Sequence, residues 1–202
     1  MNSFSFEYDI KKPSSYNQNT KVILMLHGYG SNKADLFSFS NFMDSDYLII
    51  SIQAPIKLDY NSYCWWSLQY DDNMRLTMNA EEALKTVNQL DGFISADLCE
   101  KYNFISDQIY LLGFSQGCMM SLNVGLTLDE KFSCIVGFSG KIVDQDNLKN
   151  RIKSKTETFL IHGDTDQIVP SINLLEAKDF LIRNNVKVDT LLIKNCDHHI
   201  PI

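Results

Sequence analysis

The stretch that most constrains this chain is Gly113-Phe114-Ser115-Gln116-Gly117. It lies between the apolar run Ile109-Tyr110-Leu111-Leu112 and a helical pattern running from Gln116 to Val124. A G-x-S-x-G match alone says little. With a strand before it and a helix after it, the match describes a sharp turn that lifts a serine hydroxyl clear of the backbone. Side chains at positions 113 and 117 would collide with the neighbouring strand and helix, which is why glycine stands at both. The turn also brings the free N–H groups and positive dipole end of the following helix beneath the place where a reacting carbon would sit. Ser115 is therefore the candidate nucleophile. Gly125 is expected to end the helix.

The rest of the chain supplies a sheet for such a turn. Phe4, Phe6 and Tyr8 alternate with Ser3, Ser5 and Glu7, the period of a half-buried strand. Apolar runs follow at Val22–Leu26, Leu48–Ile52, Cys134–Phe138, Phe159–Ile161 and Val186–Ile193, each bounded by turn residues, as buried parallel strands are. Helical patterns lie between them. One is capped near Asn32 and runs to about Met43, a long one holds Ala80, Ala83, Leu84, Val87, Leu90, Ile94 and Leu98, and another spans Ser171 to Asn184. This alternation predicts an α/β fold, a mostly parallel sheet with helices on both faces, formed as one domain over residues 1–202. Ligands of such sheets bind beyond the carboxyl ends of the strands.

Charge and cysteine content narrow the partners. The net charge of −7 repels phosphate backbones, so nucleic acid is not expected as a partner. The basic cluster of Lys149, Arg151, Lys153 and Lys155 reads as a solvated face. Five scattered cysteines contain no C-x-x-C pair, which fits thiols in a reducing, cytoplasmic setting rather than a disulfide framework or zinc site. No basic-then-apolar leader opens the chain, and no apolar run is long enough for a transmembrane segment.

A serine nucleophile needs a base, and the base needs an orienting acid, in the chain order Ser, Asp or Glu, His for this type of turn. Of four histidines, His27 and His162 precede the candidate acids and are read as anchors of loop backbone. His198 and His199 remain as bases. The segment His162-Gly163-Asp164-Thr165-Asp166-Gln167-Ile168-Val169-Pro170 offers two acids. Asp164 is suited to closing the turn as an Asx motif, and Asp166 lies deeper in the loop, where it can reach back across the strand ends.

Taken together with Leu26-His27-Gly28-Tyr29-Gly30, Gln53-Ala54-Pro55, the pair Trp65-Trp66 and His198-His199-Ile200, these motifs resemble the carboxylesterase and acyl-protein thioesterase (phospholipase/carboxylesterase) family of α/β-hydrolases over nearly the whole chain. The resemblance implies the α/β-hydrolase fold and a serine hydrolase that cleaves carboxylic esters or thioesters through an acyl-enzyme. It selects Asp166 as the acid and His198 as the base. It makes the backbone N–H groups of Tyr29 and Gln116 the oxyanion donors, and it requires no metal or organic cofactor. Asn195-Cys196-Asp197 stands where the family has Gly-x-Gly; after glycine, Asn and Asp are the residues most tolerant of positive φ. Asp197, next to His198, is positioned in sequence to add negative charge near that ring.

The segment from Pro55 to Thr77 carries a heavy apolar load and is the expected specificity loop. Trp65, Trp66, Leu68 and Met74 are its candidate substrate-binding residues, completed by Ile168 and Val169 beside Asp166. Each Trp has an equal alternative as simple core. Substrates would be small acyl esters or thioesters, with acylated proteins in the same chemical class. The family includes monomers and dimers, and apolar residues near the site would permit a homodimer. The rival readings are a non-catalytic hydrolase-fold binding protein, which the Ser–Asp–His order disfavours, and a lactone or dienelactone hydrolase, in which the nucleophile is often Cys.

Overall fold

The computed structural model describes residues 5–70, 72–74, 76–129 and 132–201. A seven-stranded sheet takes β1 (Tyr8–Lys11), β2 (Val22–Leu26), β3 (Leu48–Ile52), β8 (Ile109–Phe114), β9 (Cys134–Phe138), β10 (Thr158–Gly163) and β11 (Val188–Ile193) in the order β1-β3-β2-β8-β9-β10-β11. Only β1 runs antiparallel, against β3. The Phe6–Tyr8 alternation thus enters an edge strand, while Ser3 and Phe4 lie outside the described residues. Side chains of β2 divide between the faces with period two. Val22, Leu24 and Leu26 join the larger apolar cluster, and Ile23 and Met25 join Leu36 and Ile49 in a smaller one. Among the described residues no helix is long and apolar enough to cross a membrane.

The helices differ from the sequence expectation in three informative ways. The first stays α-helical only as α1 (Lys33–Phe37), with the Asn32 side chain accepting from Ala34 N–H, and then tightens to 3-10 geometry over Ser38–Phe42. The long pattern is α2 (Ala80–Gly92), a π-helical stretch over Phe93–Leu98, and α3 (Cys99–Tyr102). The helix after Ser115, α4 (Gln116–Thr127), runs through Gly125 instead of ending there. A Cβ at Gly125 would come within 2.5 Å of Ile135 Cδ1, so this glycine serves helix-on-sheet packing rather than termination. Two further helices, α5 (Gln145–Arg151) and α6 (Ile172–Arg183), complete the layers.

The expected loop from Pro55 to Thr77 is two hairpins: β4 (Ile56–Asp59) with β5 (Ser62–Cys64), and β6 (Leu68–Tyr70) with β7 (Leu76–Met78). Their apolar residues had no clean period to betray them. Chain order reverses between β2 and β8: the chain passes from β2 outward to β3, then returns to the far side of β2 as β8. The strand register pairs Leu26 with Gly113 and Phe114 with Phe138. The loops after β2 and β8 therefore open side by side at the switch point, where a binding crevice forms in sheets of this kind. The arrangement is that of the α/β-hydrolase fold.

Candidate active site

Ser115 stands between β8 and α4 at φ 53° and ψ −117°, a backbone state that side-chain-bearing residues seldom adopt. It is held there by close approach on two sides. A Cβ at Gly113 would lie 2.3 Å from Gly117 O, and one at Gly117 would lie 1.8 Å from Leu26 O. The collision inferred from the motif is thus present, with helix α4 on one side and strand β2 on the other. Ser115 N–H donates to Phe138 O at 2.8 Å, which fixes the turn against β9.

The two other members arrive on the ends of β10 and β11. His198 Nε2 is 3.0 Å from Ser115 Oγ, and His198 Nδ1 is 2.7 Å from Asp166 Oδ2. The carboxylate accepts, so Nδ1 carries the hydrogen and Nε2 presents a lone pair to the serine hydroxyl. Asp166 is buried, and its Oδ1 accepts from Ile168 N–H and Val169 N–H, both at 2.9 Å. Burial pushes its pKa up, but the bonds from His198, Val169 and Ile168 outweigh burial and hold the carboxyl below its ordinary value. The competing acid, Asp164, is exposed. The arrangement can draw the proton from Ser115 onto His198 and stabilise the cation so formed.

His27 and His162 are backbone anchors, as their positions implied. His27 Nδ1–H donates to Gly28 O at 2.8 Å, and Nε2 accepts from Ala54 N–H at 3.0 Å. Burial lowers its pKa to about 4, opposed by the bond to Gly28, so the ring is neutral at pH 7. His162 Nε2–H donates to Val169 O at 2.7 Å and lies 3.3 Å from Asp166 Oδ2, a second imidazole under the acid that sequence reasoning did not anticipate.

The departure at Asn195-Cys196-Asp197 resolves in a specific way. Asn195 takes φ 53°, the left-handed state for which Asn is tolerant. Room for the loop comes from the facing strand: a Cβ at Gly163 would meet Cys196 O at 2.1 Å. The Asp197 carboxylate turns to His199 Nδ1 at 2.7 Å rather than to His198. Ile200 packs into the smaller apolar cluster, and the His198 ring lies 5.0 Å from that of Phe114, centroid to centroid.

A cleft of about 380 Å³ opens over Ser115. Tyr29, Gln116, Trp66, Leu68, Ile168 and Val169 line it. Gln116 opens α4, so its N–H has no partner within the helix. Two candidates are corrected. Trp65 is fully buried away from the cleft, because its indole N–H needs an acceptor and finds His27 O at 2.8 Å, with Phe6 and His27 against the ring. Met74 sits at φ 58° on the exposed tip of the β6–β7 hairpin and does not line the cleft. Sequence reasoning missed Met78 on β7, Met119 on α4, and Lys141 and Val143 in the segment after β9, which also line the cleft. It also missed the Gln116 side chain: Oε1 accepts from Trp65 N–H and Nε2 donates to Trp66 O, both at 2.8 Å, tying the cleft wall to the turn at Ser115.

Known proteins of similar sequence and fold are found. The chain is 26% identical over 198 residues to acyl-protein thioesterase 1 of Yarrowia lipolytica, spanning 90% of this chain and 82% of that protein. It is 29% identical over 177 residues to acyl-protein thioesterase 1 of Schizosaccharomyces pombe, spanning 82% and 77%. Among solved structures, esterase PE8 superimposes with a TM-score of 0.88 at 31% identity over 97% of this chain and 92% of that one. The Bacillus cereus carboxylesterase shares the fold, with a TM-score of 0.80 at 18% identity over 98% and 88%. The sequence pattern of the phospholipase/carboxylesterase family matches residues 10–202, through every element that carries the site, and the chain belongs to that family.

Proposed function

We propose that this ester or thioester hydrolase works through Ser115 as nucleophile, His198 as general base and then general acid, and Asp166 as the group that orients His198. The observation that carries the reading is the continuous relay from Ser115 Oγ to His198 Nε2 at 3.0 Å and from His198 Nδ1 to Asp166 Oδ2 at 2.7 Å. Ser115 attacks the acyl carbonyl as its proton passes to His198. Charge develops on the carbonyl oxygen, and the backbone N–H groups of Tyr29 and Gln116 receive it; one such donor is worth about 10²–10³ in rate. His198 protonates the departing alcohol or thiol, and water then releases the acid by the same relay in reverse. The ionised Asp166 keeps the Nδ1–H tautomer and stabilises the imidazolium.

The apolar side of the cleft, with Trp66, Leu68, Met78, Ile168 and Val169, is the acyl wall in this reading. Acylated proteins fall within the substrate class that the cleft admits. The five free thiols fit a reducing, cytoplasmic setting, and residues 1–202 function as one domain.

A Ser115→Ala protein is expected to lose about 10⁴-fold or more of kcat on 4-nitrophenyl acetate. Retained activity would refute the assignment. Turnover of a palmitoyl-thioester peptide beside simple acyl esters then separates thioester from ester preference.

A further inference from the structure

Among the described residues that line the Ser115 cleft, Lys141 is the one with a permanent charge, in surroundings otherwise made of Trp66, Leu68, Met78, Met119 and Val143 with the site's own polar groups. Its position is fixed through the backbone. Ser115 N–H donates to Phe138 O, and Ser139 N–H donates to Ile161 O at 2.9 Å. A Cβ at Gly140 would fall 2.4 Å from Cys118 Sγ and 3.3 Å from Ser115 O, so the strand end presses on the helix that begins at Ser115. Lys141 leaves the segment one residue later.

No hydrogen bond or ion pair engages the Lys141 ammonium among the described residues. The nearest acid along the chain, Asp144, caps α5 by accepting from Asn147 N–H at 3.2 Å, and it faces the neighbouring cavity that Arg151 also lines. An ammonium that lines a reaction cleft and has no counter-ion among the described residues is placed to receive one from the substrate. The net charge of −7 opposes anions at long range, but salt screens that field within about 8 Å, whereas a contact pair at the cleft mouth is screened less.

Resting on the mechanism proposed above, we infer that Lys141 is a specificity residue that favours acyl esters or thioesters carrying a carboxylate or similar anion near the scissile bond. The anion can stand on the acyl or the leaving side, and the two sources are separable. On the acyl side, 4-nitrophenyl hemisuccinate is compared with 4-nitrophenyl butyrate. On the leaving side, the butyrate of 4-hydroxy-3-nitrobenzoic acid is compared with that of 2-nitrophenol.

Lys141→Gln is expected to lower kcat/KM on one of the two anionic esters roughly 3- to 10-fold. The neutral esters should change less than about 2-fold, Lys141→Arg should keep the preference, and Lys141→Glu should deepen the loss. The wild-type preference should shrink as salt is raised. Equal losses on charged and neutral esters, or no loss on either anionic ester, would overturn the inference. Full retention of activity in Ser115→Ala would instead sink the mechanism and this inference with it.

Discussion

Two loops meet at Ser115 and solve the same problem differently. The loop after β2 (residues 27–31) supplies Tyr29, and the loop after β11 (residues 194–199) supplies His198. Each is pressed against a glycine on the facing segment: Gly117, whose Cβ would sit 2.7 Å from His27 O, and Gly163, whose Cβ would sit 2.1 Å from Cys196 O. Each is underlain by a buried titratable group. Beneath the first, His27 is kept neutral; beneath the second, Asp166 is kept ionised. The first loop also has its own glycines, with Gly30 at φ 78°, and is stapled to Tyr63 by Gly30 N–H to Tyr63 O and Tyr63 N–H to Ser31 O, both 2.9 Å. The second has no glycine and turns at Asn195. Close backbone approach thus needs a missing Cβ on only one of the two partners, so a loop can lose its glycines if the strand it faces keeps one.

The strongest way to break this comparison is to add the Cβ. Gly117→Ala is expected to cost more than about 4 kcal/mol, since its contact is backbone on backbone and neither side can rotate away. Gly163→Ala should displace the His198 loop and lower kcat roughly 100-fold or more, a larger change than in KM, because a shift near 1 Å misaligns the base. Denaturant melts and steady-state kinetics separate the two. An active, stable Gly163→Ala protein would mean that the histidine loop is not held by that approach.

Acid sharpens the comparison next. The unfolded chain protonates His27 near its ordinary value of 6.5, while the folded chain resists until about 4. The unfolded state therefore binds the extra proton in that window, and stability falls as pH drops through it, by about 3 kcal/mol in all. Asp166 acts lower. Its stabilisation is complete above the ordinary carboxylate value of 3.8 and is lost only as pH falls below it. Urea melts between pH 7 and 4 should lose the upper part of the slope in His27→Asn and keep it in Asp166→Asn. An unchanged slope in His27→Asn would show that the ring is not the neutral anchor.

The smallest effect is at the turn itself. Asn195→Gly should be nearly neutral and Asn195→Ala should cost about 1 kcal/mol, since φ 53° disfavours a Cβ that has no side-chain amide to compensate it. Equal melting temperatures for the two variants would remove Asn195 from the account.

Much of this was legible in one dimension because its causes are local. Val22–Leu26, Leu48–Ile52 and Cys134–Phe138 are strands at the bounds their apolar runs mark, since a strand buried on both faces needs nothing but apolar residues between turns. Gly113 announced the turn at Ser115 because the backbone it must not touch, at Gly117 and Cys118, lies on the next element of the chain, whereas Gly117 has to clear Leu26 on β2. Gly125 misled for the opposite reason. A glycine near a helix end ordinarily stops it, and only the sheet beneath, with Ile135 and Leu111 in reach, shows that this one is a packing contact.

The sequence by itself determined the α/β alternation and the strand–turn–helix at Ser115, because each follows from short-range periodicity. Tertiary structure decided what distance in space decides. It put Trp65 in the core with its indole N–H on His27 O, and Trp66, next in the chain and also buried, against the cleft. It turned Asp197 to His199 and left Asp166 for His198. It also brought Lys141, 26 residues on in number (141 against 115), into the lining of the Ser115 cleft, a proximity that no pattern along the chain encodes.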